Sequence, residues 1–323
     1  MNNLLVGLLS ALVSTNAPVA LSNLVTRTTG ITLPLSDPND PVEKEYRKLL
    51  DNDDAAQEEV DKWIKENQAF KEQGAGFSEA TLRARLVQRL EPVHKAYEDF
   101  LKRHPDHARA RLAYGSFLMD INEEEKAVEQ MEKARELDPN NPAAWNNLAN
   151  YYGHRSPVKK AFEYYAKAIE LSPNEPVYYQ NLATTVFLFR TDAMEFYRID
   201  EQQVFDRALD LYRRALKLDP NNFVLASDYA QTYYGIRPPR TDDAITAWEE
   251  TLNIAANDEQ REGVYLHLAR LKLNAGRFDE ARQLLDRVTH EVYTELKKRL
   301  ERNLKEKRKK VDEAAEAPPL TPR

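Results

Sequence analysis

The chain has 323 residues, 31% of them charged and 42% apolar, with 46 basic against 53 acidic side chains and a formal net charge of −7. That balance gives no overall attraction to nucleic acid or to an anionic membrane, and the absence of cysteine excludes disulfides, thiolate catalysis and cysteine-bound metal. Nine glycines, against roughly 23 at average usage, leave few positions for tight turns, bulges or phosphate-cradling loops and point to helix.

Residues 1–35 contain an apolar run over 4–13 that has the length of a signal-peptide core and is far too short to cross a bilayer. No Lys or Arg precedes Arg27, and Pro18 disturbs the small-residue exit at Ala17 or Ala20. The segment therefore reads as an apolar helix that docks on the rest of the chain, with a cleaved export signal as the alternative. The first reading places the protein in the cytoplasm, the second outside it. Residues 36–107 read as helices. Pro41-Val42-Glu43 opens one, and a second covers 55–73, with Val60, Trp63, Ile64 and Phe70 at helical spacing and Gly74-Ala75-Gly76 as its end. Ser78 caps a third, in which Pro92 predicts a break or kink.

From here the chain repeats itself. Pro105, Pro139 and Pro173 stand 34 residues apart, and Pro220 follows after 47, which is 34 with 13 inserted. Over 142–175 the pattern between prolines is Trp145, Leu148, Ala149, Tyr152, Ala161, Tyr165, Ala168 and Pro173. Units at 108–141, 176–222, 223–258 and 262–295 keep most of these positions. The first has Arg111 where the large apolar residue belongs, and the third carries the insertion. The fourth is two residues longer around Pro238-Pro239, and the fifth lacks the closing proline. This pattern resembles the tetratricopeptide repeat. The resemblance implies an all-α, right-handed solenoid of helix pairs, in which small residues let helix A and helix B approach closely and stacked pairs bury a shared core. Val93, Tyr97, Phe100 and Pro105 match the second half of the pattern and read as a degenerate half-repeat capping the stack. At the other end, over 296–323, the helix that carries Leu296, Leu300 and Leu304 continues a stripe begun at Val288 and Val292. It reads as a basic capping helix, with nine basic against three acidic residues over 294–311, and gives way to a disordered tail from 314.

No constellation for catalysis stands out. Gly74 and Gly76 lack the third glycine of a phosphate loop, and neither a nucleophile elbow nor a His-Glu-x-x-His helix occurs. His104 and His107 flank Pro105 and read as solvated turn residues rather than metal ligands. The chain is thus read as non-enzymatic, without cofactor or metal, with a protein or peptide as its partner.

In the family, the inward face of helix A lines a concave groove. The resemblance carries that face onto Asn146, Asn147 and Asn150 in the second unit, Gln180, Asn181 and Thr184 in the third, and Asp228, Gln231 and Tyr234 in the fourth. Asn147 and Asn181 would grip the backbone of an extended peptide. Relatives that clamp a terminal carboxylate hold cations where this chain has Val224 and Asp228, so that clamp is rejected. The insertion gathers Phe189, Phe196 and Tyr197 with Arg190 and Arg198, the composition of an interaction hot spot. The alternative is that it lengthens both helices of its repeat and the aromatics pack on one another. The basic stretch at 297–310 offers an alternative tether to nucleic acid or anionic lipid, but the interleaved Glu301 and Glu306 favour a solvated capping helix.

Overall fold

A computed structural model describes residues 40–155 and 157–316; the apolar segment at 1–35 and the last residues, 317–323, lie outside the described residues. Among the described residues there are fourteen α-helices and no strand. They fall into two compact units that meet in sequence at Thr185 and Val186. The first holds α1 (Pro41–Glu72), α2 (Glu79–Arg103), α3 (Ala108–Asp120), α4 (Glu124–Leu137), α5 (Pro142–Gly153), α6 (Val158–Leu171) and most of α7 (Pro176–Leu188). The second holds α8 (Arg190–Tyr197), α9 (Glu201–Leu218), α10 (Phe223–Thr232), α11 (Thr241–Asn253), α12 (Asp258–Asn274), α13 (Phe278–Asp286) and α14 (Thr294–Glu316).

The prolines set the helix ends through the residue before them, whose α conformation they disfavour. His104, Asp138, Ser172 and Asp219 all leave their helix with φ between −128° and −140° and ψ between 66° and 82°. Each donates its N–H to the carbonyl four residues back, at 2.9–3.0 Å. After Pro139 and Pro220 the next helix is opened by a side-chain cap, Asn141 and Asn222 accepting from Ala143 and Leu225 N–H at 3.1 and 3.0 Å, and Asn257 caps α12 in the same way by accepting from Gln260 N–H at 2.8 Å. His107 does the same for α3 through Nδ1, which accepts from Ala110 N–H at 3.0 Å. His107 is therefore a half-buried cap rather than a solvated turn residue, with its ring 4.7 Å from that of Tyr46 and 5.2 Å from that of Phe100.

A second repeated device explains Arg111. Arg111 Nε, Trp145 Nε1 and the Tyr179 hydroxyl donate to the carbonyls of Pro105, Pro139 and Pro173, each six residues upstream, at 2.7, 2.9 and 3.0 Å. The position asks for a long side chain with a donor at its end, and an arginine meets that as well as an aromatic. Between the helices of one pair the approach is close. A Cβ on Gly115 would lie 2.7 Å from Met131 Cγ and 3.1 Å from the Ala127 carbonyl oxygen. The core of the first unit is aromatic at its N-terminal end, where Tyr46, Tyr97, Phe100, Tyr114 and Phe117 are all buried.

Four expectations are corrected. The two helices expected on either side of residues 47–54 are one, α1, because that stretch has neither Gly nor Pro and Asp53 is anchored by the Tyr97 hydroxyl at 2.6 Å. Helix α2 runs on through Pro92; Pro92 and Gln88, whose carbonyl loses its partner, are both exposed, and water can replace the bond. The insertion does not simply lengthen its neighbours but forms α8, which stops at Arg198 in the left-handed region (φ 55°). A reciprocal cap between Asp200 and Gln203, at 2.9 and 3.0 Å, then starts α9. Helix α14 begins only at Thr294, so the stripe does not extend back along it: Val288 is buried ahead of the helix and Val292 is 68% exposed. The buried Glu262 carboxylate sets this break by accepting from Thr289 N–H, the Thr289 hydroxyl and His290 N–H at 2.7, 2.9 and 2.6 Å.

Candidate functional site

In the first unit, the helix-A faces of α3, α5 and α7 are joined by a chain of side chains donating in one direction. Asn181 Nδ2 donates to Asn146 Oδ1 at 3.0 Å, Asn146 Nδ2 to Asn147 Oδ1 at 3.4 Å, and Asn147 Nδ2 to Ser116 Oγ at 3.2 Å. The Ser116 hydroxyl closes the chain on the Leu112 carbonyl at 3.3 Å. Asn146 is 0% exposed and Asn147 is 9% exposed. Of the three amides of α5 assigned to the groove wall, Asn146 and Asn147 are therefore turned into the protein, where they bond to each other and to Asn181 and Ser116 of the adjacent repeats. Asn150 accepts from the Tyr165 hydroxyl at 2.7 Å. Gln180 and Thr184 keep partial exposure, and the Thr184 hydroxyl donates to the Gln180 carbonyl at 3.0 Å.

The second unit holds a cavity of about 300 Å³ between α10 and α12. Asp228 and Gln231 contribute from α10, Val264 and His267 from α12, and Tyr293 from the short turn ahead of α14. His267 is fixed from both sides. Its ring stacks on that of Trp248, with centroids 4.0 Å apart and planes 7° from parallel, and its Nδ1 shares a hydrogen bond with the Tyr234 hydroxyl at 2.9 Å. Burial, and then the charge of Arg270, push the imidazole down to about 4, so it is neutral at pH 7. Tyr234 thus supports the site from behind, whereas Asp228 and the exposed Gln231 line it. Gly263 makes room for Tyr293, since a Cβ there would lie 2.8 Å from the tyrosine hydroxyl. That hydroxyl donates to the Glu259 carbonyl at 3.0 Å.

Sequence reasoning placed Asp228 and Gln231 on this face but missed Glu259 and Tyr293. Tyr293 reaches the cavity through a turn beyond the last helix B, which no repeat position encodes. The aromatic cluster of the insertion is half-buried: Phe196 and Tyr197 meet edge to face at 4.8 Å, and the Arg207 guanidinium lies 3.8 Å over the Tyr197 ring. Phe189 stands at the start of α8, where its carbonyl accepts from Ala193 N–H at 2.9 Å. Among the described residues no three His, Asp or Glu side chains gather as a metal site, and no helix is long and apolar enough to cross a membrane.

Two family profiles, both described as tetratricopeptide repeat, match the chain, one over residues 94–142 and 118–176 and the other over 239–297. A search of curated protein sequences finds no significant match. Among solved structures, the chain is similar to the C-terminal part of a tetratricopeptide-repeat protein from Cytophaga hutchinsonii. The TM-score is 0.51 at 13% identity, covering 76% of this chain and 93% of that one. It also aligns with PilF of Pseudomonas aeruginosa (TM-score 0.47, 17% identity, 72% and 90% covered) and with yeast Tom70 (TM-score 0.47, 15% identity, 86% and 67% covered). Profile matches, proline spacing and the recurring helix-pair geometry agree that the chain carries tetratricopeptide repeats over residues 94–176 and 239–297.

Proposed function

We propose that the chain, a tetratricopeptide-repeat interaction scaffold, holds an extended segment of a partner protein against the helix-A face of its second unit. The observation that supports this reading is the cavity between α10 and α12, which combines apolar walls with a few polar groups, the usual make-up of a recognition site. The amides of α5 and α7 are engaged with one another, so in the first unit a partner would meet Asn150, Gln180 and Thr184 rather than an open asparagine ladder. Tetratricopeptide repeats are generally non-catalytic, and the polar groups of this cavity suit recognition rather than turnover.

The reading is tested by placing a photo-reactive phenylalanine analogue at Gln231, at Thr184, at Arg214 on the exposed side of α9 and at Arg302 on α14, then irradiating cells that make each variant. Protein adducts at Gln231 and not at Arg214 are expected. Adducts confined to Arg302 would move the function to the basic helix, and equal yields at every position would remove the case for a groove.

A further inference from the structure

We propose that the outer face of α14 lies against an anionic lipid surface, a contact separate from the peptide-holding function proposed above. The helix packs on α12 and α13 through Leu300 and Leu304, both buried, with Leu296 beside them. At about 100° per residue, Lys298, Arg302, Lys305 and Lys309 fall within an arc of about 60° on the side opposite these leucines. All four are exposed. Arg302 and Lys305, in the middle of the stripe, make no ion pair or side-chain hydrogen bond with the described residues. At its ends Lys298 and Lys309 hold Glu295 and Glu313 at 2.9 and 3.4 Å. Lys297, Lys307 and Arg308 turn back onto the unit instead, donating to the Val288 carbonyl, Asn274 and Asp279 at 2.8, 2.8 and 2.7 Å. Glu301 and Glu306, which interrupt the basic run in sequence, stand with Asp312 to the sides of the stripe, about 50–70° from its centre.

The shape and make-up of this face select among anionic partners. The stripe runs straight for about 17 Å along one helix, and no apolar, aromatic or amide side chain interrupts it. An acidic protein segment would gain only exposed ion pairs, each of which contributes little. The major groove of a duplex would carry phosphates round the sides of the helix, onto Glu301, Glu306 and Asp312. Unpaired bases would find no ring to stack on. A flat anionic bilayer touches only the outermost line of the helix, where the charge is uniformly positive, and its surface potential is shared by many headgroups. With Leu300 and Leu304 spent on the core, the contact is one of adsorption rather than insertion, so salt should abolish it.

The test is co-sedimentation of the full chain with vesicles of phosphatidylcholine alone or mixed in equal parts with phosphatidylglycerol. Binding to the mixed vesicles at low salt is expected, with none to phosphatidylcholine and loss in about 0.5 M salt. Arg302→Gln/Lys305→Gln should weaken binding about thirtyfold, or about 2 kcal/mol for two cations at the surface. Arg214→Gln/Lys217→Gln, which removes the same charge from exposed positions of α9, should leave it unchanged. Emission from Trp248 confirms that each variant is folded, and Lys305→Gln alone, with a smaller loss in the same direction, serves if the first pair is not. Failure to sediment with the mixed vesicles, or an equal loss in both double variants, overturns the proposal. So does binding of duplex DNA or polyglutamate to α14 as tight as that of the vesicles. None of these outcomes touches peptide holding, which is read at Gln231.

Discussion

At the scale of single residues, the repeats are held by donors placed at fixed distances rather than by fixed side chains. Arg111, Trp145 and Tyr179 make one and the same bond, which is why the first repeat tolerates an arginine that hydrophobic matching counts as a defect. Tyr179→Phe removes only that bond, so its loss should lower the stability of the first unit by about 1 kcal/mol, measured by urea unfolding followed through the fluorescence of Trp145. No change would mean that the turn holds without the clamp. Asn146 carries a heavier consequence. It is fully buried and both of its polar ends are bonded, so Asn146→Ala leaves Asn181 and Asn147 short of partners and should cost about 1–3 kcal/mol. Asn150→Ala, at a partly exposed position, should cost less in the same titration. Sequence could place these asparagines on helix A but not say which way they turn. An amide that grips a ligand and one that grips the next repeat need the same donors and acceptors, and only burial tells them apart.

At the scale of elements, the helix ends next to prolines were legible because their cause is local: Pro105, Pro139, Pro173 and Pro220 dictate the conformation of the residue before them. What could not be read was set by contacts distant in sequence. The continuity of α1 draws on Tyr97, 44 residues beyond Asp53, and the break before α14 depends on Glu262, 27 residues before Thr289. The left-handed stop at Arg198 carries no glycine or asparagine to announce it. Glu262 gives the sharpest test. Burial alone would raise its carboxyl, but the hydrogen bonds from His290 and Thr289 outweigh that and hold it below the usual carboxylate range. Its contribution is therefore present at neutral pH and lost as the pH falls through that lowered value. Glu262→Ala should cost about 2–3 kcal/mol by leaving two backbone N–H groups unpaired. Hydrogen exchange should show α14 opening first, with amides near Leu300 and Leu304 losing protection before those of α12. Uniform loss of protection across the unit would refute the idea that this carboxylate specifically anchors the helix.

At the scale of the whole molecule, the two units carry different titrating groups, and each can be followed by its own tryptophans. Trp63 and Trp145 report on the first, Trp248 on the second. In the first unit, burial and then the charges of Asp53, Asp51 and Glu58 push Asp54 up to about 6. A carboxyl that holds its proton more tightly when folded favours the fold below its ordinary value of 3.8 and loses that contribution as the pH rises through about 6. Asp54→Asn should therefore stabilise the first unit at pH 7 by on the order of 1 kcal/mol and leave it unchanged near pH 3. The midpoint of the Trp63 and Trp145 signals, with 5-fluorotryptophan resolving them, checks both halves. In the second unit His267 has the opposite sign: its depressed value contributes stability above its ordinary 6.5 that is lost as the pH falls through about 4. The Trp248 transition of the parent should accordingly weaken over that interval more than that of His267→Phe.

The proline clamps also bear on the order in which the chain can consolidate. Each closes over six residues, and the amide relay never reaches past the adjoining repeat, its longest step being 35 residues. Contacts of such short range need little loop entropy to form. During synthesis from the N-terminus, the turn ahead of α5 can be set as soon as Trp145 has emerged. The pair α5/α6 then offers Asn146 as an acceptor before Asn181 has been added to the chain, so each finished repeat presents the bond that positions the one after it.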